Sequence, residues 1–252
     1  MGVMKGVMLG IAPGVSFIDL THEIAPQNIY AGSLALAESY RYFPAGTVFL
    51  CVVDPGVGSA RAPIAIHAGN WYFVAPDNGL LHTIIEQQPV HAVVRLSNPN
   101  YHLSAVSSTF QGRDIFAPVA AHLAAGVPVQ ELGEALDVAR LQQLDIVQPL
   151  VKQDRIEAEI VHVDHFGNLI TNISLSLIPD FFTRPGVRLM LPAQQEMITQ
   201  RRRFFAEQPD DPTPFLLIDS SGAVGIAVCN GSAADFLGVG SGESVTLLWN
   251  EA

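Results

Sequence analysis

The run TVFLCVV, residues 47 to 53, constrains the fold of this chain most. It is continuously apolar, rich in β-branched and aromatic residues, and bracketed by Gly46 before it and Pro55, Gly56 and Gly58 after it. Such a run reads as a strand covered on both faces. The segments around it read as the same kind of architecture. VSFIDL (15 to 20), IAIH, WYFV and HAVVRL read as further strands, Gly32, Leu36, Tyr40 and Phe43 recur at helical spacing, and LLHTIIEQ reads as a helix. This order predicts an α/β fold with a mostly parallel sheet. A further helix is expected from Asp114 as N-cap through Phe116, Val119, Ala120 and Leu123 to Gly126 as its stop, with Pro118 tolerated in the first turn. Its N-terminus would aim a positive dipole end at the loop SSTFQGRD.

Past a linker at residues 147 to 153 the pattern changes to strict alternation, with Ile156, Ala158 and Ile160 set against Glu157 and Glu159, followed by short strands and turns. The expectation is two domains: an α/β domain over residues 1–147 and a small antiparallel β-barrel over 154–252. The 252 residues, 49% hydrophobic and 15% charged, leave room for substantial cores. The formal net charge of -11 argues against nucleic acid, which needs a basic footprint. The clustered cations Arg201, Arg202 and Arg203 adjoin the acidic stretch EQPDDPTP (207 to 214), and together these read as a solvated loop without function. No apolar stretch approaches the ~18 residues of a membrane span, and the opening VMLGIAP is cut by Gly10 and Pro13 too early for a signal peptide. We therefore expect no membrane partner and a cytoplasmic location. Cys51 and Cys229 lack the spacing of a zinc site and are expected to be reduced, mostly structural thiols.

Five loops carry polar residues that a core would not want. VVDPGVGSAR (52 to 61) sets Asp54 at the mouth of the buried strand with Arg61 seven residues on, a pair able to hold and polarise a water. Ligands in open α/β sheets sit just beyond the carboxyl ends of strands, where this loop would lie if its strand is parallel. The plainer reading makes Asp54 a turn former before Pro55. APDNGLL (75 to 81) offers Asp77 and Asn78 as candidate substrate-binding residues, otherwise a helix N-cap. STFQGRD (108 to 114) offers Ser108, Thr109, Gln111 and Arg113 around Gly112, or simple loop-and-cap chemistry. VDHFGNLITNI (163 to 173) interleaves Asp164, Asn168 and Asn172 with Phe166 and Gly167, and DSSGAVGIAVCNGSAA (219 to 234) places two turns around one strand; hairpins use the same residues.

In combination, VVDPGVG with Arg61 three beyond Gly58, PDNGLL, TFQGRDIFAPVAAHLAAG, VDHFGNLITNI and the C-terminal SSG, IAV and GSAA elements resemble the S-adenosylmethionine hydroxide adenosyltransferases. These are hydrolase relatives of fluorinase and chlorinase, and the resemblance covers nearly the whole chain. It implies an N-terminal α/β domain, a C-terminal β-barrel, and a homotrimer that binds its ligand between the N-terminal domain of one subunit and the C-terminal domain of the next. It implies cleavage of S-adenosyl-L-methionine by water into adenosine and L-methionine, through in-line attack at the ribose C5′, with no metal or further cofactor. By the same resemblance Asp54 and Arg61 match the residues that hold the attacking water. Asp164 and Asn168 match those that grip the methionine ends, with Phe166 packing between them and Ser220 on the carboxylate. Asn230 and the backbone around Val228 match the segment that reads the adenine edge.

Three positions depart from the pattern. Gln111 stands where the hydrolases carry His, and an amide can position a water but cannot take its proton. Cys229 stands where Asn is expected. The relatives open with a strand bearing Thr-Asp-Phe-Gly, whose Asp holds the ribose diol, whereas this chain begins inside the following helix, so we expect its true start to lie upstream. Two other functions remain to be weighed. Halide could replace water, although the Asp54 carboxylate would repel it. The chain could also be a retired enzyme that still binds S-adenosylmethionine. A metal hydrolase built on His22, Asp54 and His82 fails on ligand spacing.

Overall fold

A computed structural model describes residues 1–104, 109–208 and 210–249 of the chain. It divides into two compact units, Met1–Asp145 and Ile146–Ala252.

The first unit is built on a four-stranded sheet of β1 (Val48–Leu50), β2 (Pro63–Ala68), β3 (Trp71–Pro76) and β4 (Val90–Arg95) in the order β1-β3-β2-β4. Its alternate faces enter two separate cores. Ala65 and Val74 pack with Phe116, Val119 and Ala120 on one side, while Ile64, Ile66 and Phe73 pack with Leu36, Tyr40 and Ile84 on the other. This two-sided cover is why TVFLCVV reads as unbroken apolar sequence. The covering helices are α1 (Gly2–Ile11), α2 (Ile29–Ser39), α3 (His82–Gln87) and α4 (Ala117–Ala124).

Three expectations are corrected here. The sheet is mixed rather than mostly parallel: β1 runs parallel to β3, but β2 is antiparallel to both β3 and β4. The two residues between β2 and β3, Gly69 (φ +54) and Asn70, permit a hairpin alone, because a parallel connection needs a long crossover. VSFIDL joins no strand among the described residues. Val15 and Phe17 pack on the core, but Ile18 is 71% exposed, since alternation specifies extended backbone and does not by itself supply an edge to pair with. Asp114 is not an N-cap. It lies within a π-helical turn, Gly112–Phe116, that leads into α4, and its fully buried carboxylate is bound by Arg113. Gly126 does follow the helix end as expected, with φ +93 and its N–H on Leu123 O at 2.9 Å.

The second unit is antiparallel. Its sheet runs β10 (Phe215–Ile218), β11 (Ala223–Ala227), β7 (Leu169–Ser174), β6 (Arg155–Val163), β12 (Ser244–Leu248), β8 (Arg188–Leu191) and β9 (Glu196–Ile198), with β5 (Leu150–Val151) also on β6. Beyond β9 the chain bridges back to the opposite edge: Leu216 N donates to Gln200 O at 2.8 Å and Arg202 N to Leu216 O at 2.9 Å. The sheet thereby closes into a barrel around Ile156, Ile160, Leu169, Phe181, Leu189 and Leu247, all fully buried. Each of these side chains contributes roughly 1.5–3 kcal/mol of burial free energy. A short helix, α5 (Ala233–Leu237), is capped by the Ser232 side chain, which accepts from Asp235 N.

Candidate active site

Asp54 follows β1 after three further residues, and the chain then folds back through consecutive turns, with Val57 N on Asp54 O at 3.4 Å and Ser59 N on Gly56 O at 3.0 Å. Gly58 takes the left-handed conformation (φ +81) that such a reversal needs. These turns return Arg61 to Asp54. Arg61 Nε donates to Asp54 Oδ1 at 2.9 Å and Nη2 donates to Asp54 Oδ2, a bidentate pair. The two side chains are only 8% and 6% exposed. The pair is thus withdrawn from bulk water, where its mutual attraction is little screened.

Gln111 completes the cluster from fifty residues away, its Oε1 accepting from Arg61 Nη2 at 2.6 Å. The π turn that starts at Gly112 sets its position, and π turns of this kind often accompany functional sites. Beneath Arg61 lies the Phe116 ring, its centroid 5.4 Å from the guanidinium carbon. Arg61 Nη1 is buried and makes no hydrogen bond among the described residues. The cluster therefore offers carboxylate acceptors, an unengaged cationic N–H and an amide within one small volume.

Asp77 and Asn78 belong to the same region but hold it from behind. Asn78 Nδ2 donates to Val53 O at 2.9 Å, and Asp77 N donates to Ala62 O at 2.8 Å, so the two residues fasten both ends of the Asp54–Arg61 loop. Asp77 Oδ1 accepts from Gln142 N at 2.9 Å, and burial raises its carboxyl above the ordinary value. Neither residue caps α3, whose N-cap is Leu81. His22 lies 3.2 Å from Asp19 and His82 lies 3.4 Å from Glu86, and among the described residues no three His, Cys, Asp or Glu side chains are grouped so as to hold a metal ion. Burial pushes the Cys51 thiol up to about 12, and both cysteines are unpaired, as expected of structural thiols. Ser108 lies outside the described residues.

In the second unit the β6–β7 loop is organised by Asp164. Its Oδ1 accepts from Phe166 N at 2.8 Å and Asn168 N at 2.9 Å, and its Oδ2 accepts from Asn168 Nδ2 at 2.7 Å. Asn168 is buried and Phe166 is 76% exposed, so an aromatic face stands beside a carboxylate. Gly167 has φ +80 and lies so close to Ser232 that an added Cβ would stand 2.2 Å from its Oγ. Gly167 O also accepts from Ala234 N at 3.0 Å, which joins this loop to the segment after Asn230. Ser220 is exposed at the tip of the turn that Asp219 organises between β10 and β11. Val228 is buried and bridges to Gly231, and Asn230, with φ +52, forms the corner between them.

Sequence reasoning missed Phe116 as the floor under Arg61, Ser232 as the partner of Gly167, and the burial of Arg202. Arg202 is 2% exposed and paired with Asp211 Oδ2 at 2.7 Å, which corrects the reading of the arginine triplet as a solvated loop. No local sequence signal marks this burial, which follows from the bridge that residues 200 to 202 make to Leu216.

Comparison with known proteins gives a consistent result. The family models for the SAM hydroxide adenosyltransferase N-terminal and C-terminal domains match residues 1–133 and 158–246. An (R)-S-adenosyl-L-methionine hydrolase of Salinispora tropica is 41% identical over 242 residues, covering 94% of this chain and 88% of the relative. The protein of the same name from Thermus thermophilus is 37% identical, covering 98% of this chain and 93% of the relative. A fluorinase of an Actinoplanes species is more distant, 32% identical over 67% of this chain and 65% of its own length. The crystal structure of an uncharacterised conserved protein from Thermotoga maritima superposes with a TM-score of 0.88 at 36% identity, over 98% of this chain and 94% of that one.

Proposed function

Because this chain belongs to the S-adenosyl-L-methionine (SAM) hydroxide adenosyltransferase family, we propose that its Asp54, Arg61 and Gln111 cluster presents a water to the ribose C5′ of SAM. The reaction is hydrolysis of SAM to adenosine and L-methionine. One observation carries the assignment of the cluster: a buried carboxylate clamped by a buried guanidinium that keeps an N–H unengaged. A water held at this cluster donates to Asp54 and accepts from a guanidinium N–H of Arg61. As the C5′–O bond forms and the C5′–S bond breaks, the electron pair of the breaking bond leaves with the neutral thioether, and the water proton passes to Asp54. Gln111 orients Arg61 and the water but takes no proton, so no imidazole titrates within this cluster. The sulfonium is already a good leaving group. Orientation and exclusion of solvent then carry most of the catalysis, and orientation alone can supply roughly 7–11 kcal/mol.

In this reading Asp164, Asn168, Phe166 and Ser220 serve the methionine end, Asn230 and the Val228 backbone serve the adenine, and Asp77 and Asn78 support the water-binding loop from behind. The Oδ2 of Asp164, bound by one amide N–H, keeps capacity to accept from an ammonium. No cofactor enters the reaction. The proposal extends to a homotrimer, the assembly that the family resemblance implies, and to a cytoplasmic location, which the two unpaired cysteines support. Among the described residues no helix is long and apolar enough to cross a membrane.

Water is favoured over halide because the attacking site is bounded by a carboxylate as well as a cation. A water can donate to one and accept from the other, whereas a halide only accepts and is repelled by Asp54. Incubation with SAM in buffers with and without chloride or fluoride is expected to give adenosine and L-methionine at the same rate. Formation of a 5′-halogenated nucleoside would contradict the reading, and retention of intact SAM would mark a binding protein.

A further inference from the structure

We propose that Arg202 is a positioning residue for base recognition, holding the turn at residues 228 to 231 in the shape that meets adenine. This rests on the assignment of that turn to adenine made above. The guanidinium lies 4.2 Å above the Phe215 ring, and its surroundings tie three segments together. Nη2 donates to Gln200 Oε1 and to Asp211 Oδ2, each at 2.7 Å. Nη1 donates to Gln208 O at 3.1 Å and to Cys229 Sγ at 3.2 Å. The Cys229 thiol in turn donates to Phe205 O at 3.2 Å. Cys229 is the second residue of the turn, between buried Val228 and the left-handed corner Asn230. Its side chain is thus engaged with Arg202 and the loop behind it, which leaves Asn230 and the backbone for a ligand.

A guanidinium is a costly means of filling a core. Well-packed apolar groups of similar volume often give equal or greater stability, so a buried cation here is better explained by the geometry it enforces. Arg202 is fixed at both ends: its main chain is part of the bridge that closes the barrel, and its head group is gripped by Asp211. The hydroxyl and N–H of Thr213, ahead of the charge of Arg202, lower the Asp211 carboxyl to about 2. Cys229, in the position where an Asn is expected to read the base directly, serves here as the attachment point of that frame.

The test uses the full chain with Arg202→Met, Cys229→Ala and Asn230→Ala, each verified by thermal melting. Cys229→Ala removes the attachment while leaving the Arg202–Asp211 pair intact, so it keeps the proposal falsifiable if Arg202→Met does not fold. The readouts are KM, kcat, and the preference for SAM over S-inosyl-L-methionine, in which an oxo group replaces the 6-amino group. Positioning predicts that Cys229→Ala and Arg202→Met raise KM for SAM about tenfold, equivalent to about 1.4 kcal/mol, with kcat within about twofold and the preference reduced. Unchanged KM and preference in both, alongside a clear effect of Asn230→Ala, would overturn the role of Arg202 alone. No effect of Asn230→Ala either would remove the assignment of the turn to adenine. Parallel loss of kcat and KM with the preference intact would reduce Arg202 to a prop of the barrel and overturn the proposal.

Discussion

Asp54→Asn is expected to lower kcat by about 10²–10⁴, the range typical of a lost proton acceptor, while leaving the Kd for SAM within a few-fold of its original value. The amide preserves the volume of the carboxylate and one acceptor oxygen, so Arg61 keeps a partner at Nε or Nη2. In the proposed reaction what disappears is the group that receives the water proton, and neither Gln111, an amide, nor Arg61, a donor only, replaces it. In the proposed assignment, binding rests on residues of the second unit, Asp164 and Asn168 among them, which this substitution does not touch. Isothermal titration together with steady-state kinetics separates the two effects. Equal losses in kcat and in affinity would place Asp54 in substrate binding and remove it from the water.

Arg61→Met is expected to cost both activity and stability. Methionine fills the space above Phe116 but leaves the Asp54 carboxylate, 6% exposed, without its counterion. Breaking a buried pair from one side typically costs about 3–5 kcal/mol, because the remaining charge is neither solvated nor compensated. Loss of the donor at Nη1 should further lower kcat by about 10²–10³, as for other oxyanion-type donors. The double variant Asp54→Asn with Arg61→Met should recover much of the lost stability but none of the activity, since the charge left behind is then absent. Denaturant unfolding of the four members of this cycle measures the coupling. An Arg61→Met protein as stable as its parent would show that the buried pair is not the energetic centre of the loop.

Much of this architecture was legible in the chain. Helical spacing marked α2 and alternation marked β6, whereas β2, β3 and β4 were marked by short apolar runs, because their sheet is covered on both faces. Asp54 and Arg61 were legible as a pair because both belong to one glycine-bearing loop, where seven residues suffice to bring them together. The convergence of Gln111 was not readable from spacing. It depends on a π turn and on contacts across fifty residues, and only resemblance to relatives placed it beside the other two. Local patterns misled where a tertiary partner decides the outcome. VSFIDL alternates like a strand but pairs with no described strand, Asp114 has the residue type of a cap but sits in a turn that begins earlier, and Arg202 reads as solvated beside acidic residues that in fact draw it inward. The mixed sheet was predictable from the two-residue β2–β3 connection, and the α/β order of elements obscured it.

The most direct measurement is incubation of the protein with SAM in water enriched in oxygen-18, followed by mass spectrometry of the nucleoside. The account predicts adenosine that carries the label at its 5′ oxygen, together with unlabelled L-methionine, because water attacks C5′ and the carbon–sulfur bond breaks. Adenosine without the label, or intact SAM after prolonged incubation, would contradict it.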